Sequence, residues 1–111
     1  MQVVACLLSE GRRREERTVT DIFTALADST RRALLDELAE RDGQTLFELC
    51  AKLVTRHGIS SSRQAITQHL GMLEAAGLVT TRRQGRYKFH HADFTPLRAV
   101  SERWPIPQED A

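Results

Sequence analysis

Four side chains able to read base edges share one face of a short segment. In 61–76, placed on a helical wheel at about 100° per residue, Arg63, Gln64, Thr67 and Gln68 fall with Gly71 in an arc of roughly 140°. A guanidinium forks onto guanine O6 and N7, a glutamine amide onto adenine N6 and N7, and a threonine offers a hydroxyl or a methyl. Gly71 lets that face come close to a backbone. Ala65, Ile66, His69, Leu70, Leu73 and Ala76 fill the opposite arc, which anchors the segment in a core. Ser60, Ser61 and Ser62 stand at its start, where hydroxyls and free backbone N–H groups can hold a phosphate. Taken alone, this segment also fits a solvated polar face that touches nothing.

The second group lies just downstream. Arg82, Arg83, Arg86 and Lys88 crowd around Gly85, and between residues 60 and 91 five bases face a single acid, Glu74. Like charges on a small hairpin repel each other, so an anionic partner is their natural neutraliser. Net charge over the 111 residues is only +1, because 20–59 carries five bases against seven acids. The basic footprint is local. On the second strand, Tyr87, Phe89 and His91 alternate with Arg86, Lys88 and His90, so one set is expected to pack inward.

Other residues that could do chemistry lack partners. His69 sits in the apolar arc and reads as a packed histidine. His90 and His91 point to opposite strand faces and cannot readily chelate one ion, although one of them can touch phosphate. Cys50 reads as a small buried apolar residue, and Cys6 stands alone near the start. No nucleophile, base and orienting group occur together, and no phosphate-binding glycine loop is present. No enzyme activity, cofactor or metal is expected.

The elements that must position these groups follow from periodicity and caps. Ile22, Phe23 and Leu26 keep helical spacing. Asp28-Ser29-Thr30 caps a second helix carrying Leu34, Leu35 and Leu38, which Gly43 is placed to end. Thr45 and Glu48 form a capping box for a third helix, with Leu46, Leu49, Leu53 and Val54 as its stripe and Gly58 as its stop. Ser61 and Gln64 form another box opening the fourth helix. Leu78–Arg83 and Arg86–His91 flank Gln84-Gly85 as a hairpin. Thr95 and Pro96 start a last helix through Leu97, Val100 and Trp104, and Pro105 and Pro107 end it. The expected fold is mainly α with a small β-hairpin: a winged helix-turn-helix, with recognition helix 61–76 and wing 80–90.

Composition sets the frame. Hydrophobic residues at 41% and charged residues at 28% suit one ordinary globular domain with a modest core. Two cysteines without CxxC spacing fit a reducing compartment, and Val3–Leu8 is too short to span a bilayer, so a cytoplasmic, membrane-free protein is expected. Residues 1–17 are read as a flexible N-terminal arm, 18–104 as the domain that binds DNA and dimerises, and 105–111 as a C-terminal tail.

From Asp21 to Trp104, about three quarters of the chain, the sequence resembles the ArsR/SmtB-type family of bacterial winged-helix regulators. The matching runs are Ala25-Leu26-Ala27-Asp28-Ser29-Thr30-Arg31-Arg32 and Arg63-Gln64-Ala65-Ile66-Thr67-Gln68-His69-Leu70. Leu73-Glu74-Ala75-Ala76-Gly77-Leu78-Val79 and Arg82-Arg83-Gln84-Gly85-Arg86 complete the match. The resemblance implies a homodimeric repressor of a short operon. Its DNA operator would be met by Ser61, Ser62, Arg63, Gln64, Thr67, Gln68, Arg82, Arg83, Arg86 and Lys88. Dimer contacts would come from Ile22, Phe23 and Leu26 on the first helix and Leu97, Val100 and Trp104 on the last.

Two departures stand out. Val54–Ser60 adds about a turn's worth of residues between the third and fourth helices. The cysteines of the family's arsenic and cadmium sensors are replaced by Thr45 and Phe47, with Cys50 beside them, and 95–104 holds no histidine for a zinc site. Two further readings stay open: a metal- or thiol-responsive sensor using Cys50, His57 or Cys6, and a winged-helix module that binds protein.

Overall fold

The computed structural model describes residues 21–107. Five helices and a two-stranded hairpin follow one another: α1 (21–26), α2 (Ser29–Glu40), α3 (Leu46–His57), α4 (Arg63–Ala75), β1 (Val79–Gln84), β2 (Tyr87–Ala92) and α5 (Arg98–Arg103), the last preceded by a 3₁₀ turn, Thr95–Leu97. This is the winged helix-turn-helix order. The expected arm, 1–17, and the end of the tail lie outside the described residues.

Local chemistry sets each boundary. The Asp28 carboxylate accepts from the Thr30 and Arg31 amides and starts α2. Those bonds, the Arg31 amide foremost, hold the Asp28 carboxyl below its ordinary pKa. Thr45 and Glu48 close the reciprocal box on α3, which Gly58 ends in the left-handed region. The residues counted as an insertion lengthen α3 to His57, leaving a short link before α4.

Several boundaries differ from the sequence expectation. Ser62, not Ser61, caps α4: its hydroxyl accepts from the Ala65 amide, so Gln64 has no part in a box. The helix α2 stops at Glu40, ahead of Gly43. Gly43 serves instead at a crossing, with φ +70° and the His91 ring 3.1 Å from where a Cβ would stand. Before α5, Asp93 accepts from the Thr95 amide and hydroxyl, so Thr95 does not cap the helix. Proline's missing N–H favours the 3₁₀ turn that follows.

Leu34, Leu38, Leu49, Leu53, Ile66, Leu73 and Leu78 lose nearly all contact with solvent and form the centre of the core. Each such side chain contributes about 1.5–3 kcal/mol relative to exposure. Leu26, Leu46, Cys50 and Leu97 pack at its margin. Val54, expected in the α3 stripe, is exposed because it falls outside the Leu49–Leu53 line.

The hairpin pairs Val79 with Ala92 through to Gln84 with Tyr87. Gly85 and Arg86 form its tip. Gly85 has φ +63° and no other residue type in the described chain has positive φ, the type II′ pattern that matches strand twist. Gln44 adds a third pairing at the base: its amide donates to the His90 carbonyl at 3.1 Å and its carbonyl accepts from the His90 amide at 2.8 Å.

Candidate nucleic-acid interface

The fourth helix divides as its wheel predicts. Ile66, Leu70 and Leu73 are buried, while Arg63, Gln64, Thr67, Gln68 and Gly71 are exposed, as are Ser61 and Ser62 before them. The Thr67 hydroxyl donates to the Arg63 carbonyl at 2.8 Å, so the threonine presents its methyl and oxygen lone pairs outward. No Cβ-sized obstacle stands within 4 Å over Gly71.

The wing's cations are exposed too. Arg83 lies directly opposite Lys88 in the strand register, and Arg86 sits on the tip. Like charges in direct cross-strand pairing destabilise a hairpin. Among the described residues, none of the side chains of Arg63, Arg82, Arg83, Arg86 and Lys88 has a hydrogen bond or ion pair. A cleft of about 480 Å³ joins the two elements, lined by Arg63, Thr67 and Gly71 from α4 and by Arg86, Tyr87 and Lys88 from the wing. A second, of about 540 Å³, lies against Arg82, Arg83 and Phe89. The helix and the wing therefore flank one basic channel, the first cleft, with Glu74 on its wall, while the second cleft is lined by the wing and Gly43 and takes no residue of α4.

The alternation expected along the second strand holds only near the base of the wing. Tyr87 is 61% exposed and Phe89 half-buried, whereas His90 is buried. Only the base of the hairpin reaches the core, so alternation fails toward the tip. Tyr87 and Phe89 instead pair with each other, ring centroids 6.2 Å apart. His90 is buried and not free for phosphate, whereas His91 engages only its Nδ1 and keeps its ring partly exposed. The His90 Nδ1–H donates to the Gln44 carbonyl at 3.0 Å, and His91 Nδ1 bonds the Asp42 carboxylate at 2.9 Å. Burial pushes His90 below its ordinary pKa and keeps it neutral. The sequence reading missed two exposed aromatics beside the channel, Phe47 (73% exposed) and Tyr87. An apolar residue at the third position of a capping box was the available signal for Phe47.

Cys50 is half-buried at the core margin, and burial pushes its thiol up against the opposing influence of Arg63. A raised thiol is a poor nucleophile and a poor ligand. Among the described residues no three His, Cys, Asp or Glu side chains are grouped to hold a metal ion.

The residues expected at a dimer seam divide. Ile22 is fully buried inside the chain and so cannot face a partner; Leu26 and Leu97 are half-buried against the core. Phe23 (42% exposed) and Trp104 (57% exposed) remain open, their rings 6.0 Å apart, with Val100 half-buried nearby in sequence.

Comparison with known proteins matches this geometry. A family described as a helix-turn-helix domain covers residues 26–82. The chain is 49% identical over 83 residues to an uncharacterised HTH-type transcriptional regulator of Bacillus subtilis, YuzN, spanning 75% of this chain and 90% of the relative. It is 28% identical over 92 residues to the arsenical resistance operon repressor of Escherichia coli, spanning 79% of this chain and 74% of that one. A crystal structure of an ArsR family transcriptional regulator superposes with a TM-score of 0.66 at 31% identity, over 80% of this chain and 84% of the other. With its winged helix-turn-helix order, its polar α4 face and its basic wing, the chain belongs to the ArsR/SmtB-type family of DNA-binding transcriptional regulators.

Proposed function

We propose that the protein is a cytoplasmic, homodimeric repressor that places α4 in the major groove of a palindromic operator and the wing on the flanking backbone. The observation that carries this reading is the set of three cations, Arg63, Arg86 and Lys88, that line the α4–wing channel with no partner among the described residues, with Arg82 and Arg83 likewise unpartnered there on the wing. A sugar-phosphate strand running along that channel supplies the missing counter-charge. Arg63, Gln64, Thr67 and Gln68 then reach base edges, while Ser61, Ser62, Arg82, Arg83, Arg86 and Lys88 hold phosphate.

The apolar end of the molecule supports the dimer. No residue of α5 is buried, and a six-residue helix has little stability of its own. Phe23, Val100 and Trp104, with the outer edges of Leu26 and Leu97, offer α1 and α5 to a second copy. A two-fold axis there would set the two recognition helices about 34–36 Å apart, one turn of duplex.

Selection of duplexes from genomic fragments by the purified protein tests the proposal. The expected product is a palindromic site bound by two chains, with affinity falling steeply as salt rises. Retention of all fragments alike, or binding that ignores salt, would contradict it.

A further inference from the structure

Beside its apolar anchor in the core, the recognition helix is joined to α1 by a buried guanidinium. Arg31, at the start of α2, is only 8% exposed. Its Nε donates to the Ala25 carbonyl at 2.8 Å and its Nη2 to the Thr24 carbonyl at 3.0 Å, both in α1. Its Nη1 donates to His69 Nδ1 at 3.1 Å and to the Met72 sulfur at 3.3 Å, both in α4. One planar cation thus spans from the first helix to the middle of the recognition helix. The nearest carboxylate, Asp28, is already engaged by the Thr30 and Arg31 amides.

That contact constrains the imidazole. Arginine cannot give up its proton and has no acceptor atom, so His69 Nδ1 must offer a lone pair. The ring is then neutral, with its proton on Nε2. A proton added at Nδ1 would set two donors face to face and place a second positive charge beside the buried guanidinium. The other charged group facing the ring is the Asp28 carboxylate, whose Oδ1 lies 3.9 Å from Nδ1. A proton at Nδ1 would therefore cost the Arg31 contact and leave Asp28 as the facing counter-charge among the described residues. His69 lies between Gln68, on the outward face, and Leu70, in the core.

We infer that Arg31 is a positioning residue for the recognition helix, and that its contact with His69 makes operator binding proton-dependent, strong when His69 is neutral and weakened when it is protonated. The inference rests on α4 being the helix that reads DNA.

The test compares wild type, His69→Gln and Arg31→Lys on a duplex selected by the wild-type chain, at constant ionic strength from about pH 8 to about pH 5.5, the range in which imidazoles change charge. Glutamine supplies an acceptor oxygen that does not titrate. Wild-type affinity for the selected duplex should fall about tenfold more than affinity for random duplex, a coupling of ordinary size. His69→Gln should lose that excess while keeping the affinity seen at pH 8. Arg31→Lys, a point donor that cannot span four acceptors, should bind weakly at both pH values while remaining folded. An excess pH dependence that persists in His69→Gln overturns the inference, because the other histidines would then carry it.

A second measurement needs no variant. The ¹⁵N shift of His69 Nδ1 in the full chain should report an unprotonated acceptor at pH 8, and the Arg31 Nη1–H signal should move as that nitrogen is protonated. Independent titration of the two signals overturns the link even if no duplex binds. Failure of every duplex to bind at either pH would instead remove the DNA-reading role of α4.

Discussion

Arginines on the two halves of this molecule carry the same charge and meet opposite fates. In the α2–α3 half, Arg41 bonds Glu48 at 2.7 Å, Arg56 bridges Glu37 and Glu40, and Arg32 donates to the Leu26 carbonyl at 2.7 Å. In the α4–wing half, Arg63, Arg82, Arg83, Arg86 and Lys88 find no such partner among the described residues. Glu37 shows what pairing achieves: its side chain is 4% exposed, yet it accepts from both Arg56 and His57 and locks α3 to α2. The chain has 15 acids, yet between residues 60 and 91 only Glu74 is one, and it lines the α4–wing channel. The paired cations join neighbouring elements of the fold, and the five without a partner among the described residues all stand on α4 and the wing.

The comparison can be broken in order of expected effect. Val100→Asp with Trp104→Asp should give a folded monomer by light scattering. Its operator affinity should drop to the non-specific level, a loss of about 10³ or more. These positions are preferred to Leu97, whose loss would also disturb the core margin. A monomeric variant that still binds its operator tightly would rule out the two-fold arrangement. Next, Arg56→Ala with His57→Ala leaves the Glu37 carboxylate buried without a cation and should cost about 3 kcal/mol in denaturant unfolding, with no change in the salt dependence of DNA binding. Then Gln64→Ala should weaken binding to the preferred duplex by about 1–3 kcal/mol and leave random duplex almost unaffected. Equal losses on both would show that Gln64 does not read bases.

The smallest effect concerns pH and stability. Burial lowers the pKa of His90 in the folded chain, so below the ordinary histidine value the unfolded chain binds more protons. Stability from this group is complete above that value and is lost as pH falls toward the folded one. Asp42, held low chiefly by His91, and Glu48, held low chiefly by the Thr45 amide, act with the same sign further down, through the carboxylate range. A melting temperature that declines below about pH 6.5, less steeply in His90→Gln, is the expected result.

What was legible in the residues was local. The arcs of α4, the α3 capping box and the crowding of arginines around Gly85 all follow from spacing within one element, and they place the candidate nucleic-acid interface. The misplacements came where distant segments meet. The pairing of Gln44 with His90 accompanies the burial of His90 and the exposure of Tyr87, and nothing near Tyr87 announces it. The buried contacts of Arg31 join residues 38 and 41 positions apart, so His69 read only as packed, without its polar partner. Ile22 and Phe23 are neighbours with equal apolar character, and only the packing shows that one faces in and the other out. Ser61 and Ser62 differ by a single residue, and the cap falls to the one whose hydroxyl reaches a free amide.

The slope of log affinity against log salt, measured on one duplex for three proteins, tests most directly whether the unpaired cations form the DNA interface. Arg83→Ala/Arg86→Ala removes two unpaired cations, and Arg41→Ala/Arg56→Ala removes two paired ones. Relative to wild type, the first should lower the slope by about two units and the second should leave it unchanged, since only phosphate contacts release counterions. Equal slopes for wild type and Arg83→Ala/Arg86→Ala, or a loss in Arg41→Ala/Arg56→Ala as large as in the wing variant, would contradict that division of labour.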